Sequence, residues 1–137
     1  MRRFVCECGQ RLFFEDFMCL ACRRPVGFAP WRTDLVLIGD ESHGRSCRNR
    51  ADHAICNWLI PPGDPSDYCI ACRHNRVIPN LGSAHNVKLW GRLERAKRRM
   101  LYGVMRLKLP IDGNPGRPAM GFVFMEDQRD NPLVEDG

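Results

Sequence analysis

Between Ser83 and Leu109 the apolar positions recur at the spacing of a helix. At about 100° per residue, Leu89, Leu93, Ala96, Met100, Val104 and Leu107 share one arc, with Trp90 and Leu101 at its edge. Ser83 carries the hydroxyl of an N-cap, and Pro110, which has no N–H to donate, sets the expected stop. Lys88, Arg92, Arg95, Arg99 and Arg106 fall on the opposite side, within about 60° of one another. Lys97 and Lys108 land on the apolar side and are expected to snorkel, stems on the apolar surface and ammonium groups in water.

Elsewhere the runs are shorter and alternate. "RLFF" predicts a short strand, with "EDF" as the turn before a return strand; "NWLI" predicts another, running into the turn cluster "PPGDPSDY". "LPIDGNPGRPAM" is a Gly/Pro loop, and "GFVFMED" is a strand with Phe122 and Phe124 on one face. A lone strand is not stable. This one must pair with a ribbon strand or with something beyond Gly137. The final "QRDNPLVEDG" is polar and closes no element.

The cysteines change this picture most. The chain has eight, and "CLACRR" from Cys19 is nearly repeated as "CIACRH" from Cys69. Upstream of each copy stand two more, Cys6 and Cys8 before the first, Cys47 and Cys56 before the second. Two ligands from one tight turn and two from another, joined by a short hairpin, is how a zinc ribbon closes a tetrahedral site. Gly9, directly after Cys8, suits a turn that needs positive φ. Backbone N–H groups in such a knuckle point at the sulfurs, and Arg23 adds a positive charge beside Cys22. In the second set His53, three residues before Cys56, is the alternative to Cys47 as a ligand, and His43 is a remoter one. Four thiolates are favoured, because Cys47 would otherwise be left as an unpaired thiol.

Four disulfides or an iron–sulfur cluster would also use eight cysteines. Cys6 and Cys8 cannot easily bridge one another, however, and two complete sets with pairwise spacing point to two structural zinc ions. Four protein ligands leave no position for water, so such sites fold the chain and do no chemistry. The start, "MRRFVCECGQ", has no apolar run after its arginines, and nothing reaches the length of a membrane span. A cytoplasmic protein is expected, with thiols kept reduced and no membrane partner.

At 137 residues there is one ordinary domain or two very small ones, and each cysteine set is too short to build a core alone. The expected architecture is small α+β: a first zinc ribbon over 1–35, a second over 36–80, an amphipathic helix over 81–110, and a loop, short strand and acidic tail over 111–137. The formal charge of +5 counts every cysteine as neutral. Two tetrathiolate zinc sites would bring it to roughly +1, which weakens any general attraction to polyanions. What survives is local: Lys88 to Lys108 holds eight basic residues against Glu94 alone. That stripe is a candidate anion-binding face for nucleic acid or an acidic partner, and otherwise a solvated helix face.

"FVCECGQRLFFED" with "CLAC", then "CNWLIPPGDP" with "YCIACRHNRVIPNL", then "LWGRLERAKRRMLYGVMRL" resemble, in order and over essentially the whole chain, a family of bacterial zinc-binding metallopeptidases. The resemblance implies an N-terminal zinc-ribbon region with structural cysteines, followed by a protease-like domain with an H-E-x-x-H helix. Only His43, His53, His74 and His85 are present, and no two stand four apart with a glutamate after the first. No catalytic motif therefore carries over. The chain reads as the front of a longer protein. Its expected role is a structural zinc-binding module that positions a downstream peptidase domain or a protein partner. The alternatives are a nucleic-acid-binding ribbon that uses the basic helix face, and a redox switch that releases zinc when its thiolates oxidise.

Overall fold

The computed structural model describes residues 2–113, 115–116 and 118–126. The acidic end from residue 127 onward lies outside the described residues. The chain divides into two compact units, Met1–Arg73 and His74–Gly137. Both cysteine sets thus fall in one unit, and the division expected at residues 35 and 36 passes through a strand.

The first unit is built from pairs of very short strands. β1 (Phe4–Val5) and β2 (Arg11–Leu12) pair antiparallel, Phe4 opposite Leu12. They enclose the Cys6–Gly9 turn, where Gly9 adopts φ +93° as the sequence implied. The turn at "EDF" also forms: Asp16 N–H donates to Phe13 O at 2.9 Å, and Phe13 N–H to Asp16 Oδ2 at 2.8 Å. The chain does not return from it as a strand paired with "RLFF". Instead Met18 bridges Pro25 across the second knuckle, so each knuckle is the tip of its own hairpin.

β3 (Val26–Ala29) and β4 (Asp34–Leu37) form the longest hairpin of this unit, all four β3 residues being buried. β5 (Arg45–Ser46) pairs with β6 (Leu59–Ile60), the strand expected at "NWLI", and between them lies the short helix α1 (Arg48–His53). Phe28 of β3 sits beside Trp58 in an isolated parallel bridge, with Phe28 N–H donating to Asn57 O at 2.8 Å. At Gly27 an added Cβ would lie 2.5 Å from Leu59 Cδ2, so only glycine lets β3 come this close to β6.

The core of this unit is aromatic and shared by both ribbons. Phe4, Phe14, Phe28 and Trp58 are all buried. Phe28 and Trp58 meet at a tilt of 44° with 4.9 Å between centroids, and Phe14 meets Phe28 edge-on at 5.0 Å. Asn57, fully buried, donates from Nδ2 to Phe14 O and Asp16 O at 2.9 and 3.0 Å. From α1, Arg50 donates to Val26 O and Phe17 O, each at 2.7 Å, and lies over the Phe17 ring. The second ribbon therefore ties down the backbone of the first.

In the second unit α2 (Ala84–Arg106) is the expected long helix. Ser83 Oγ accepts from Asn86 N–H, as an N-cap does. The helix stops before Pro110. Lys108 turns left-handed at φ 56°, Lys108 N–H returns to Met105 O, and Leu109 N–H to Val104 O. These two bonds are those of a Schellman cap. The strand with no evident partner, β8 (Phe122–Val123), finds one inside the chain: it runs parallel to β7 (Asn75–Val77), with α2 as the crossover between them.

The buried side of α2 differs from the one the apolar arc predicted. Trp90, Glu94, Lys97, Arg98, Leu101 and Tyr102 are buried, while Leu89, Leu93, Met100 and Leu107 face solvent. Lys97 does not snorkel. Its Nζ lies 2.6 Å from Glu94 Oε2 and 2.6 Å from Asn75 Oδ1, over the rings of Phe122 and Phe124. Glu94 Oε1 accepts from Asn75 Nδ2 at 2.7 Å and Trp90 Nε1 at 2.9 Å. Opposite charges satisfied by each other and by β7 can be buried where a lone charge cannot.

Candidate metal centres

The two C-x-x-C-R copies share one turn bond, although the first then turns left-handed at Arg23 and the second runs into a 3-10 turn over Cys72–His74. Arg23 N–H donates to Cys19 O at 2.8 Å, and Arg73 N–H to Cys69 O at 2.9 Å. This tight turn brings two sulfurs to one point. The partner pair arrives differently in each set. Cys6 and Cys8 come from a single turn, held by Gly9 N–H to Cys6 O and Cys6 N–H to Gln10 O. Cys47 stands at the N-cap of α1 and Cys56 just past its end, so a helical turn does for the second set what one backbone turn does for the first.

In each set the four sulfurs lie within 4.8 Å of one another. Cys6 and Cys22 Sγ are 3.7 Å apart, Cys8 and Cys19 Sγ 3.6 Å, Cys56 and Cys69 Sγ 3.6 Å. A tetrahedron of Zn–S bonds of about 2.3 Å has edges of about 3.8 Å. A disulfide needs about 2.05 Å, and none of the eight cysteines forms one. Four sulfurs this close enclose a single ion, with no room for a cluster of several irons and sulfides. The two sets therefore fit two zinc ions. Cys47 is the fourth member of the second set. His53 closes α1 outside it, and His43 Nδ1 sits 2.9 Å from Leu37 O.

The electrostatics are those of thiols sharing protons. In the second set contacts from Cys56, Cys69 and Cys72 hold Cys47 well below the ordinary thiol range. Cys69 N–H also points at Cys47 Sγ, at 3.5 Å. Cys69 is pushed well up, by burial first, and Cys56 by its contact with Cys47 first. Packed thiols cannot all ionise together. A divalent cation removes that obstacle, and its binding displaces the remaining protons.

In the first set Cys22 is lowered from 9.0 to about 6, chiefly by the hydrogen bond from Arg24 Nε at 3.4 Å. Arg24, rather than Arg23, thus supplies the positive charge here; Arg23 instead takes the left-handed turn at φ 60°. At Cys6 the Cys8 N–H favours the thiolate, but burial and the neighbouring sulfurs outweigh it and push the group up to about 11. Because Cys22 is depressed, its favourable contribution is complete above 9.0 and is lost as pH falls through about 6. Arg24→Ala is therefore expected to move zinc release from the first site to a higher pH, by about one pH unit, with the second site unmoved. A chromogenic zinc indicator followed during acidification checks this, and coincident release curves for variant and parent would contradict it.

Lys88, Arg92, Arg95, Arg99 and Arg106 are all exposed along one side of α2. Among the described residues no helix is long and apolar enough to cross a membrane.

Paired knuckles, four sulfurs per centre and short hairpins define a metal-stapled zinc-ribbon protein. Residues 3–83, more than half of the chain, match the zinc-ribbon domain family, and the chain belongs to that family. Uncharacterized proteins of Mycobacterium tuberculosis and Mycobacterium bovis are 37% identical to it over 125 residues, covering 90% of this chain. The chain spans 36% of the length of these curated relatives. No solved structure matches.

Proposed function

We propose that this chain is a non-catalytic zinc-ribbon module that serves as a platform, positioning a protein partner or, in longer relatives, the rest of the polypeptide. The supporting observation is the closure of both centres. Each ion would be surrounded by four cysteine sulfurs, which leaves no coordination position for water or a substrate carbonyl. A zinc hydrolase needs that open position and a base beside it.

The peptidase setting rests on the motif resemblance and on the length of the mycobacterial relatives. In that setting the ribbons form the N-terminal region, and the catalytic zinc belongs to an H-E-x-x-H helix elsewhere in the longer protein. Thiols that must stay reduced to hold metal suit the cytoplasm. The test is incubation of the zinc-loaded protein with a fluorogenic peptide library, with and without a chelator. No cleavage is expected. Chelator-sensitive hydrolysis by protein carrying stoichiometric zinc would overturn the reading.

A further inference from the structure

Helix α2 carries two seams of the same spacing. Trp90, Glu94, Lys97 and Leu101, stepping by four, three and four, are buried. Leu89, Leu93, Ala96, Met100, Gly103 and Leu107 step by four, three, four, three and four, the a/d spacing of a coiled-coil seam. This second line faces solvent: Leu89 is 41% exposed, Leu93 50%, Met100 45% and Leu107 73%. Ala96 is exposed too, and at Gly103 an added Cβ would meet nothing within 4 Å. A glycine inside a helix costs about 1 kcal/mol against alanine, and here it leaves a notch where another helix backbone can approach.

The charge beside this seam selects the occupant. The positions flanking it on one side are Arg92, Arg99 and Arg106, all exposed, with Lys88 and Arg95 behind them. Glu94, the helix's one acidic residue, is fully buried against Lys97. The exposed surface of α2 is therefore apolar along the seam and basic along its edge. A second copy is a poor occupant. Antiparallel pairing would set these arginines against each other, and parallel pairing would set them against Trp90, Lys97 and Val104, none of them acidic. A nucleic acid would engage the arginines but leave the leucines in water, and the tryptophan and tyrosine rings of the helix, Trp90 and Tyr102, are both buried and closed to base stacking.

We propose that this face of α2 is a docking seam for an acidic amphipathic helix of a partner protein. The partner's apolar residues pack on Leu89, Leu93, Met100 and Leu107, over the Ala96–Gly103 notch. Its flanking carboxylates meet Arg92, Arg99 and Arg106. This deepens the platform reading by naming the face and the partner's chemistry. A failure to bind leaves the cleavage test untouched, and cleavage would sink the platform reading without bearing on the seam.

The experiment titrates the zinc-loaded chain with a synthetic peptide of about four heptads, leucine at a and d and glutamate at e and g, and with a matched lysine version. Binding is read by calorimetry. The glutamate peptide is expected to bind with a Kd on the order of micromolar, and the lysine peptide at least about tenfold more weakly. Leu93→Asp should weaken the glutamate peptide more than about tenfold, with zinc content and circular dichroism unchanged because Leu93 is exposed. Arg92→Glu with Arg106→Glu should reverse the preference between the two peptides. The proposal is overturned if neither peptide binds or both bind alike. It is also overturned if sedimentation shows a dimer that Leu93→Asp dissociates. Displacement of the glutamate peptide by single-stranded RNA, bound through Arg92 and Arg106 and indifferent to Leu93→Asp, would likewise overturn it.

Discussion

Stripping the metal with a strong chelator unfolds Met1–Arg73. The described strands of this unit are two to four residues long, too short to persist on hydrogen bonds alone. Their aromatic core holds Phe4, Phe14, Phe28 and Trp58, and the loops that carry it are closed at their ends by the sulfur sets. Structural zinc contributes roughly 10–16 kcal/mol in small ribbons, more than the whole stability of an ordinary domain. Metal removal should therefore abolish the near-ultraviolet signal of Trp58, and added zinc should restore it. The order of loss is also expected. Cys8 is exposed and Cys22 partly so, whereas Cys47, Cys56, Cys69 and Cys72 are all buried, so the first ion leaves first. Cys69→Ser should accordingly disrupt folding more than Cys8→Ser. A metal-free chain that kept its native near-ultraviolet spectrum would contradict the account.

Glu94→Ala destabilises the second unit by about 3–5 kcal/mol, the cost of leaving a buried charge without its partner. Lys97 is 5% exposed, and without Glu94 its ammonium would retain Asn75 Oδ1 and the two phenylalanine faces but no counter-charge. Trp90 Nε1 and Asn75 Nδ2 would lose their acceptor as well. Replacing both charges by apolar residues, Glu94→Leu with Lys97→Met, should recover part of the loss: the uncompensated charge disappears, while Trp90 Nε1 and the Asn75 amide still lack their partners. Urea unfolding of the single and double variants measures both. If Glu94→Ala falls within about 1 kcal/mol of the parent, the pair is not the clasp described here.

Covalent logic made the metal sites legible. Ligand spacing is written along the chain, so Cys6, Cys8, Cys19, Cys22, Cys56, Cys69 and Cys72 could be grouped without knowing the fold, and Cys47 followed from pairing. How Cys47 and Cys56 meet was not written there, since it depends on the six-residue α1 turning the chain between them. The hairpin of β3 and β4 escaped notice although "VGFA" and "DLVL" flank the turn "PWRT" at strand-like lengths.

The limits of α2 were readable from Ser83 and Pro110, but its buried face was not. Periodicity finds the most apolar arc. The buried arc contains a glutamate and a lysine, acceptable there because Asn75, Phe122 and Phe124, far off in sequence, receive them. The parallel pairing of β7 with β8 was hidden for the same reason, since a crossover through a whole helix leaves no local turn signal.

The most direct measurement is the mass of the intact protein under native conditions, compared with its mass after denaturation. The account predicts a difference of two zinc ions per chain, with all eight cysteines reduced. A folded chain that carries no metal, or whose mass reveals bonds between its own sulfurs, would contradict it.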